Sequence, residues 1–452
     1  MHRMAEHETV KSPRRDIVDL SETVAEWGLL TSITLLPVSH LAPWSYLARG
    51  ALAVAAAAGL AVVIRRGEIE IPNSPITLAL MLFVVVSTAS LIWSVDPYEG
   101  SQAVSKVLLR IFVVFLLIAS GSREPARLKR LGMAMALGGL VLASVCLVNL
   151  FGGVRNPWGG ITGSTIGYNR VCMYLIPPAS FVLCFALREI RFDRQSWLWR
   201  LAWIVTLTAI FLTFSRIGWL AAVILLLVWW CFSNWQQRRF LVASCVVALA
   251  LFLVVVPDLG TILAVTDNSR LLVAEGIDLD LSLMKPMRWM DLITLNDRAT
   301  YAWKPALTLI HDRPILGAGY GPSTFMRLIP SEATLLTHEH NALLSVAVQS
   351  GIVGALVFVA LLVVIVRSLL LDLKTTSRTD SFVIRGLEIA VLAAILSEYV
   401  VQGIGEPINN GKMGVILGIL AAFATVLATP ENGYFSMRLK PRKPGSGRRD
   451  AV

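Results

Sequence analysis

The chain has 452 residues, 56% of them hydrophobic and only 15% charged, with a mean hydropathy of +0.68. A soluble domain carries about 25% charged residues, so this deficit, together with many apolar runs near 20 residues, excludes an ordinary soluble protein and points to a polytopic membrane protein. The net charge of +10 is no argument for nucleic acid, because the basic residues sit in short loops and at the tail, where membrane proteins carry them on the cytoplasmic side.

Residues 1–26 are charged, with Lys11, Arg14 and Arg15, and read as a cytoplasmic N-terminal segment. No small-residue cleavage site follows the first apolar run, so no cleavable signal peptide is expected. Apolar runs follow at 27–43, 46–64, 76–95, 103–120, 131–151, 171–188, 199–214, 218–234, 240–257, 342–371, 382–404 and 411–429. Each is long enough to cross a hydrocarbon core of about 30 Å as a helix. The expected fold is all-α: a polytopic transmembrane helical bundle of about 12 spans. Spans 1–9 fall in 27–257, a large periplasmic segment lies between spans 9 and 10 at 258–341, spans 10–12 occupy 342–429, and 430–452 is a basic cytoplasmic tail. Cys146, Cys172, Cys184, Cys231 and Cys245 all lie in apolar runs without CxxC spacing and read as small buried hydrophobes.

Orientation follows from Lys and Arg. Arg65-Arg66, Arg123 to Arg130, Arg188 to Arg200, Arg238-Arg239, Arg367 to Arg378 and the tail alternate with the poorer loops 96–102, 152–170, 215–217, 258–341 and 405–410. The basic set is then cytoplasmic, both termini are inside, and 258–341 faces away from the nucleotide pool. Chemistry there needs a pre-activated, lipid-linked donor. No internal repeat is visible, which weighs against a transporter built from inverted halves.

The segment 296–354 is the only long polar, Gly-rich and titratable region. Arg216, in Phe214-Ser215-Arg216, stands on the side poor in basic residues. It reads either as an Arg snorkelling to headgroups or as a cation aimed at an anionic substrate. Arg298 precedes a periodic stretch, Ala302 to Ile310, that reads as a helix capped by Asn296 or Asp297. An Arg in its first turn opposes the helix dipole, so a ligand phosphate or a salt bridge must justify it. Gly317-Ala-Gly-Tyr-Gly321 offers close backbone approach and free N–H groups, or an ordinary turn; without Gly-Lys-Ser/Thr it is no Walker A loop. His338 and His340 suit general-base work on a sugar hydroxyl, or a wet interface. Two His separated by one residue can ligate a metal, and Glu332 and Glu339 are nearby carboxylates, but no third or fourth ligand stands at a familiar spacing; Asp278 and Asp280 make a poor carboxylate pair. No metal and no cofactor is expected. Arg110 with Lys106, and Glu398, are charges inside apolar stretches that line a cavity or pair with one another.

These residues resemble the O-antigen ligase and polymerase superfamily of bacterial inner membranes. The likeness is carried by Ser215-Arg216, by Arg298 followed by Trp303, and by Pro314 with the Gly317-x-Gly319-x-Gly321 turn. It also rests on His340-Asn341, nine residues, then Gly351-x-x-Gly354. Tyr168-Asn169-Arg170 also resembles a family segment, more loosely. The resemblance implies a metal-independent, inverting glycosyltransferase of the inner membrane. It would move O-antigen polysaccharide from undecaprenyl diphosphate to lipid A–core oligosaccharide at the periplasmic face. Arg216 and Arg298 would hold the diphosphate and His340, or His338, would act as base. Arg110, Asn169, Arg170, Asn341, Gly319 and Gly321 would support them. The implied partners are the lipid-linked donor, the lipid A–core acceptor and membrane lipids, with no nucleic acid. Rival readings are an O-antigen polymerase, a protein O-oligosaccharyltransferase and, outside this class, a transporter or flippase.

Overall fold

Within a hydrocarbon core every backbone polar group must be satisfied inside its own segment, which drives long apolar runs into helices. The computed structural model describes residues 13–39, 42–120, 124–152, 168–187, 194–213, 215–255, 302–321, 324–329, 339, 341–375, 382–401, 403, 411–429 and 434–438. The helices are α1 (Pro13–Leu35), α2 (Ala42–Arg66), α3 (Pro75–Ala89), α4 (Pro97–Ala103), α5 (Leu109–Ala119), α6 (Pro125–Phe151), α7 (Tyr168–Ala186) and α8 (Arg194–Leu212). They continue with α9 (Arg216–Phe232), α10 (Trp235–Val255), α11 (Lys304–Asp312), α12 (Thr324–Leu328), α13 (Ala342–Thr375), α14 (Phe382–Ile395) and α15 (Gly411–Ala428). Among the described residues, seven helices are long and apolar enough to cross a membrane, and three shorter apolar helices accompany them.

Helix α7 is the axis of the bundle: every side chain from Val171 to Leu187 is buried, and α6, α8 and α14 pack around it. Phe181 meets Phe423 of α15 edge to face at 5.4 Å. Two buried indoles are paired across helices, with the Trp229 indole donating to Ser180 (3.1 Å) and the Trp203 indole to Ser244 (2.9 Å). Gly132 of α6 lies against Phe181 and Phe185, and Gly139 against Pro178. The two helices are therefore antiparallel, and α7 starts at the end of the bundle remote from the start of α6. At the opposite end, where α6 starts, Arg130 of α6 pairs with Glu26 at 2.6 Å and Arg66 of α2 with Glu22, both glutamates on α1.

Three features depart from the expected plan. The all-α expectation omits a two-stranded antiparallel sheet, β1 (Glu68–Pro72) with β2 (Tyr434–Arg438), in the register Glu68↔Arg438 and Glu70↔Ser436. The alternation Glu-Ile-Glu-Ile has period two, the strand period, and β1 ties the start of the tail to the α2–α3 connection. The run 342–371, expected as one span, is broken at Gly351 (φ 67°). Before the break Ser345 to Ser350 are all buried; after it exposed and buried side chains alternate down to Thr375. A π turn (Leu396–Val401) closes the helix that begins with α14, and another (Val104–Leu108) precedes α5.

Candidate functional site

The break in α13 is matched by a second piece of chain. A continuous helix would bond the Ile352 amide to the Val348 carbonyl. Here Ile352 N–H donates to Pro314 O (2.8 Å), and the released Val348 carbonyl accepts from Ala318 N–H (2.7 Å). Gly319 N–H donates likewise to Gln349 O at 2.9 Å. Two backbone segments thus exchange the partners that each would otherwise leave orphaned. Only glycine permits the geometry. Gly317, Gly319 and Gly351 have φ of 70°, 96° and 67°. A Cβ would drive Gly351 into the Ile315 carbonyl, Gly317 into the Gly351 amide and Gly319 into the Ser94 backbone. The free N–H groups anticipated in the glycine turn are thus not free at Ala318 and Gly319.

The turn is also held from outside. The Trp93 indole donates to Leu316 O (2.7 Å), and the hydroxyls of Ser94 and Thr324 donate to Tyr320 O (3.2 Å) and Gly319 O (3.1 Å). Arg327 pairs with Asp96 (2.7 Å) and lies 3.7 Å from Glu99. Gly321 sits where a Cβ would meet the Thr324 hydroxyl. Burial raises the pKa of Tyr320 well above the usual phenol value. Behind the turn, Ala306, Phe325, Ile329 and Val348 form a small core of their own, with Leu309, Ile310 and Leu344 against it. The helix expected at Ala302 to Ile310 is α11, beginning at Lys304.

The start of α13 carries a cap. Asn341 accepts the Leu344 amide on its side chain (3.0 Å), satisfying one of the orphan donors of the first turn. Glu339, two residues earlier, is 2% exposed. Its carboxyl is hydrogen-bonded with Ser345, and burial pushes its pKa up from 4.5 to about 7 against the opposing pull of that bond. Ser345 in turn accepts from the Gln349 amide at 3.1 Å. Sequence reasoning weighed Glu339 only as a possible metal ligand and missed Ser345 and Gln349. The available signal was a carboxylate directly between two histidines.

Arg216 is the first residue of α9 and is exposed. Ser215 caps that helix by accepting the Gly218 amide at 3.2 Å. Gly218 fits against Cys172 near the start of α7, and Cys172 lies 3.0 Å from the Thr213 hydroxyl. Glu398 acts electrostatically on both Cys172 and Tyr399. Two residues beyond the π turn, Gly403 lies against Ala342. The starts of α7, α9 and α13 therefore meet at one end of the bundle, around the π turn 396–401. Asn169 and Arg170 lie in the first turn of α7 at that same end. Arg110 sits at the start of α5, whose Ile111 packs on Gly414 and Gly418 of α15; the Met413 carbonyl accepts from Tyr399 at 2.6 Å. Arg49 is a like-charge neighbour of Arg110 among the described residues. Arg298, His338 and His340 lie outside the described residues, as do Asp278, Asp280 and Glu332. Among the described residues no three His, Cys, Asp or Glu side chains gather as metal ligands.

Fold and site together define a multi-pass, all-α membrane protein whose helix starts converge beside a broken helix locked by a glycine turn. Residues 201–359, about a third of the chain, match the model of the O-antigen ligase family, and this segment is what the chain shares with those glycosyltransferase-like enzymes. The match runs from α8 past the break in α13 and includes Arg216, Gly319, Gly321 and Asn341. No curated protein matches the chain.

Proposed function

We propose that the protein transfers O-antigen polysaccharide from undecaprenyl diphosphate to lipid A–core oligosaccharide at the periplasmic face of the bacterial inner membrane. Arg216 and Arg298 hold the diphosphate. His340, with His338 as the alternative, takes the proton from the acceptor hydroxyl. The hydroxyl oxygen bonds to the anomeric carbon while the bond from that carbon to the diphosphate oxygen breaks, with inversion. The electron pair leaves on undecaprenyl diphosphate, where the guanidinium charges stabilise it.

The observation that carries this reading is the meeting of the start of α9, led by Arg216, with the start of α13, led by Glu339 and Asn341. A cation on one helix start and, on another, the described residues Glu339 and Asn341 share the end of the bundle away from the Arg66–Glu22 and Arg130–Glu26 pairs. By the positive-inside rule the end rich in Arg is cytoplasmic, so the shared end is periplasmic. In this reading the seven long and three shorter apolar helices and the remaining expected spans cross the bilayer, with both termini inside and 258–341 carrying the remaining site residues. Asn169, Arg170, Arg110 and the Gly319–Gly321 turn support the site, the turn by holding α13 rather than by binding the anion.

The test is transfer from a lipid-linked O-antigen donor to purified rough lipopolysaccharide. Arg216→Ala, Arg298→Ala, His338→Ala and His340→Ala are assayed in parallel, with a chelator arm. Loss in the Arg variants and in one His variant, and full activity under chelation, supports the proposal. Elongation of a lipid-linked repeat without transfer to lipid A–core would make the protein a polymerase. Transfer to Ser or Thr of a secreted protein would make it a protein O-oligosaccharyltransferase. Solute or lipid movement surviving both His substitutions would replace the enzyme by a transporter.

A further inference from the structure

We propose that Arg49, Lys106 and Arg110 form a second anion site between the starts of α2 and α5, and that it holds a phosphate of the glycolipid acceptor while Arg216 serves the donor. This inference rests on the transfer reaction proposed above and gives the supporting role of Arg110 a definite content.

Two parallel helices build the site. Helix α2 ends at Arg66, beside Glu22, so it starts at the opposite, periplasmic end. Helix α5 starts at that same end, where Ile111 packs on Gly414 and Gly418 of α15. Further down, Gly59 of α2 lies against Leu117 of α5. Arg49 precedes Gly59 by ten residues and Arg110 precedes Leu117 by seven. At 1.5 Å per residue these are rises of about 15 and 10 Å, which bring the two arginines within about 5 Å of one depth. The charge of Arg49 acts on Arg110. Lys106 is one turn before Arg110, in the π turn that leads into α5, and its ammonium donates to Gln102 Oε1 at 2.8 Å.

Three cations gathered from two helices need a counter-charge. Among the described residues no carboxylate pairs with any of them. Asp96 and Glu99, the acids that precede Lys106 in the chain, are engaged by Arg327. Glu68 and Glu70 lie past the far end of α2. Arg110 is half-buried in an apolar stretch and Arg49 is exposed. Like charges held together in such a place are stabilised when an anion joins them, and guanidinium groups fork onto the oxygens of a phosphate. The surroundings fit a lipid headgroup. Trp44 and Tyr46 are exposed at the start of α2, and aromatic side chains of this kind mark the headgroup level. A Cβ at Gly50, beside Arg49, would meet nothing within 4 Å. Leu47 and Leu109, both exposed, offer apolar surface to the acyl chains.

The reaction narrows the choice of anion. Donor and acceptor are both phosphorylated lipids, and the donor diphosphate belongs to Arg216 on α9. The start of α9 packs on the π turn 396–401, whose Tyr399 bonds to the Met413 carbonyl at 2.6 Å. Arg110 is beside Ile111, which packs on the next turns of α15 at Gly414 and Gly418. The start of α15 thus stands between the two cationic sites. That arrangement suits two separate lipid phosphates, one for each substrate, and leaves the phosphorylated sugars of lipid A as the ligand of Arg49, Lys106 and Arg110.

The test has a binding arm and a kinetic arm. In detergent, the thermal midpoint of the full chain is measured with lipid A, with lipid A stripped of its phosphates, and with phosphatidylglycerol. Lipid A is expected to raise the midpoint and the stripped lipid to raise it much less. Arg49→Gln, alone and with Arg110→Gln, is expected to lose most of that rise. A rise of equal size with phosphatidylglycerol would make the cluster a general headgroup anchor and overturn its assignment to the acceptor. An undiminished rise in Arg49→Gln would overturn the site itself. In the transfer assay, Arg49→Gln is expected to raise the KM for lipid A–core about fivefold or more and to leave kcat and the donor KM within about twofold. A raised donor KM instead would move the cluster to the donor and overturn the proposal. Arg49 is exposed, so its single variant decides the matter even where the double variant fails to fold. Absence of transfer by wild type, with the lipid A rise intact and lost in Arg49→Gln, rejects the reaction and keeps the site. Normal transfer with unmoved KM and midpoints rejects only the site.

Discussion

Ile352 gives its amide to the carbonyl of Pro314 at 2.8 Å rather than to Val348 in its own helix. This substitution of a distant partner for a local one makes the glycine turn and α13 one unit. Gly351→Ala is expected to disrupt it. An alanine at φ 67° costs about 1–2 kcal/mol on conformation alone, and its Cβ would strike the Ile315 carbonyl. The expected total exceeds about 2 kcal/mol, read as a fall in thermal midpoint of the detergent-purified protein. Gly50→Ala is the control, since nothing lies near a Cβ at that helical position. Equal midpoints for the two variants would mean that the break tolerates a side chain.

Helices over the apolar runs were legible because a membrane leaves a helical chain few alternatives, and hydropathy records that choice locally. The turn at Gly317 to Gly321 was legible as a turn, but not its partner. The bonds to Val348 and Gln349 join residues about 30 apart in the chain, and no periodicity encodes such a contact. Glu339 reads in the sequence only as a carboxylate that could join two histidines at a metal, because nothing local encodes its burial. The pairing of Glu68–Pro72 with Tyr434–Arg438 was missed for the same reason: each strand is too short to be read apart from its mate.

Glu339 also predicts how stability depends on pH. Its carboxyl goes from 4.5 in an open chain to about 7 in the fold, so between those values the native state holds more proton than the unfolded one. Stability therefore falls as pH rises through that window and stays lowered above it. Multiplying the shift by about 1.4 kcal/mol per unit gives a penalty of about 3 kcal/mol above pH 7. Glu339→Gln escapes it. The variant's thermal midpoint is expected to match wild type at pH 4.5 and to exceed it increasingly up to about pH 7.5. A midpoint difference that does not change with pH would contradict the buried, proton-holding carboxyl.

The ion pairs of Arg327 with Asp96 and Glu99 lie on the outside of the glycine turn, with the Arg327 side chain 51% exposed. Water and salt screen such pairs, so their contribution is about 0–1 kcal/mol. Arg327→Ala is expected to shift the midpoint by no more than a few degrees. The Asp96–Arg327 coupling in a double-mutant cycle should stay below about 1 kcal/mol and shrink in high salt. A larger, salt-insensitive coupling would mean that the latch, and not the backbone exchange at Gly351, holds the turn.

Arg216 separates stability from transfer most cleanly. Its side chain is exposed at the first position of α9, where a cation opposes the helix dipole. An exposed side chain contributes little to the fold, so removing it should shift the thermal midpoint by no more than a few degrees. If the guanidinium binds the donor diphosphate, the same Arg216→Ala substitution should lower kcat/KM by about 10²-fold or more. Arg216→Lys should recover only part of this, since an ammonium lacks the forked geometry that engages two phosphate oxygens at once. Measured together, an intact midpoint with lost transfer places Arg216 at the reaction. Intact midpoint and intact transfer would leave it as a residue that only anchors α9 at the headgroups.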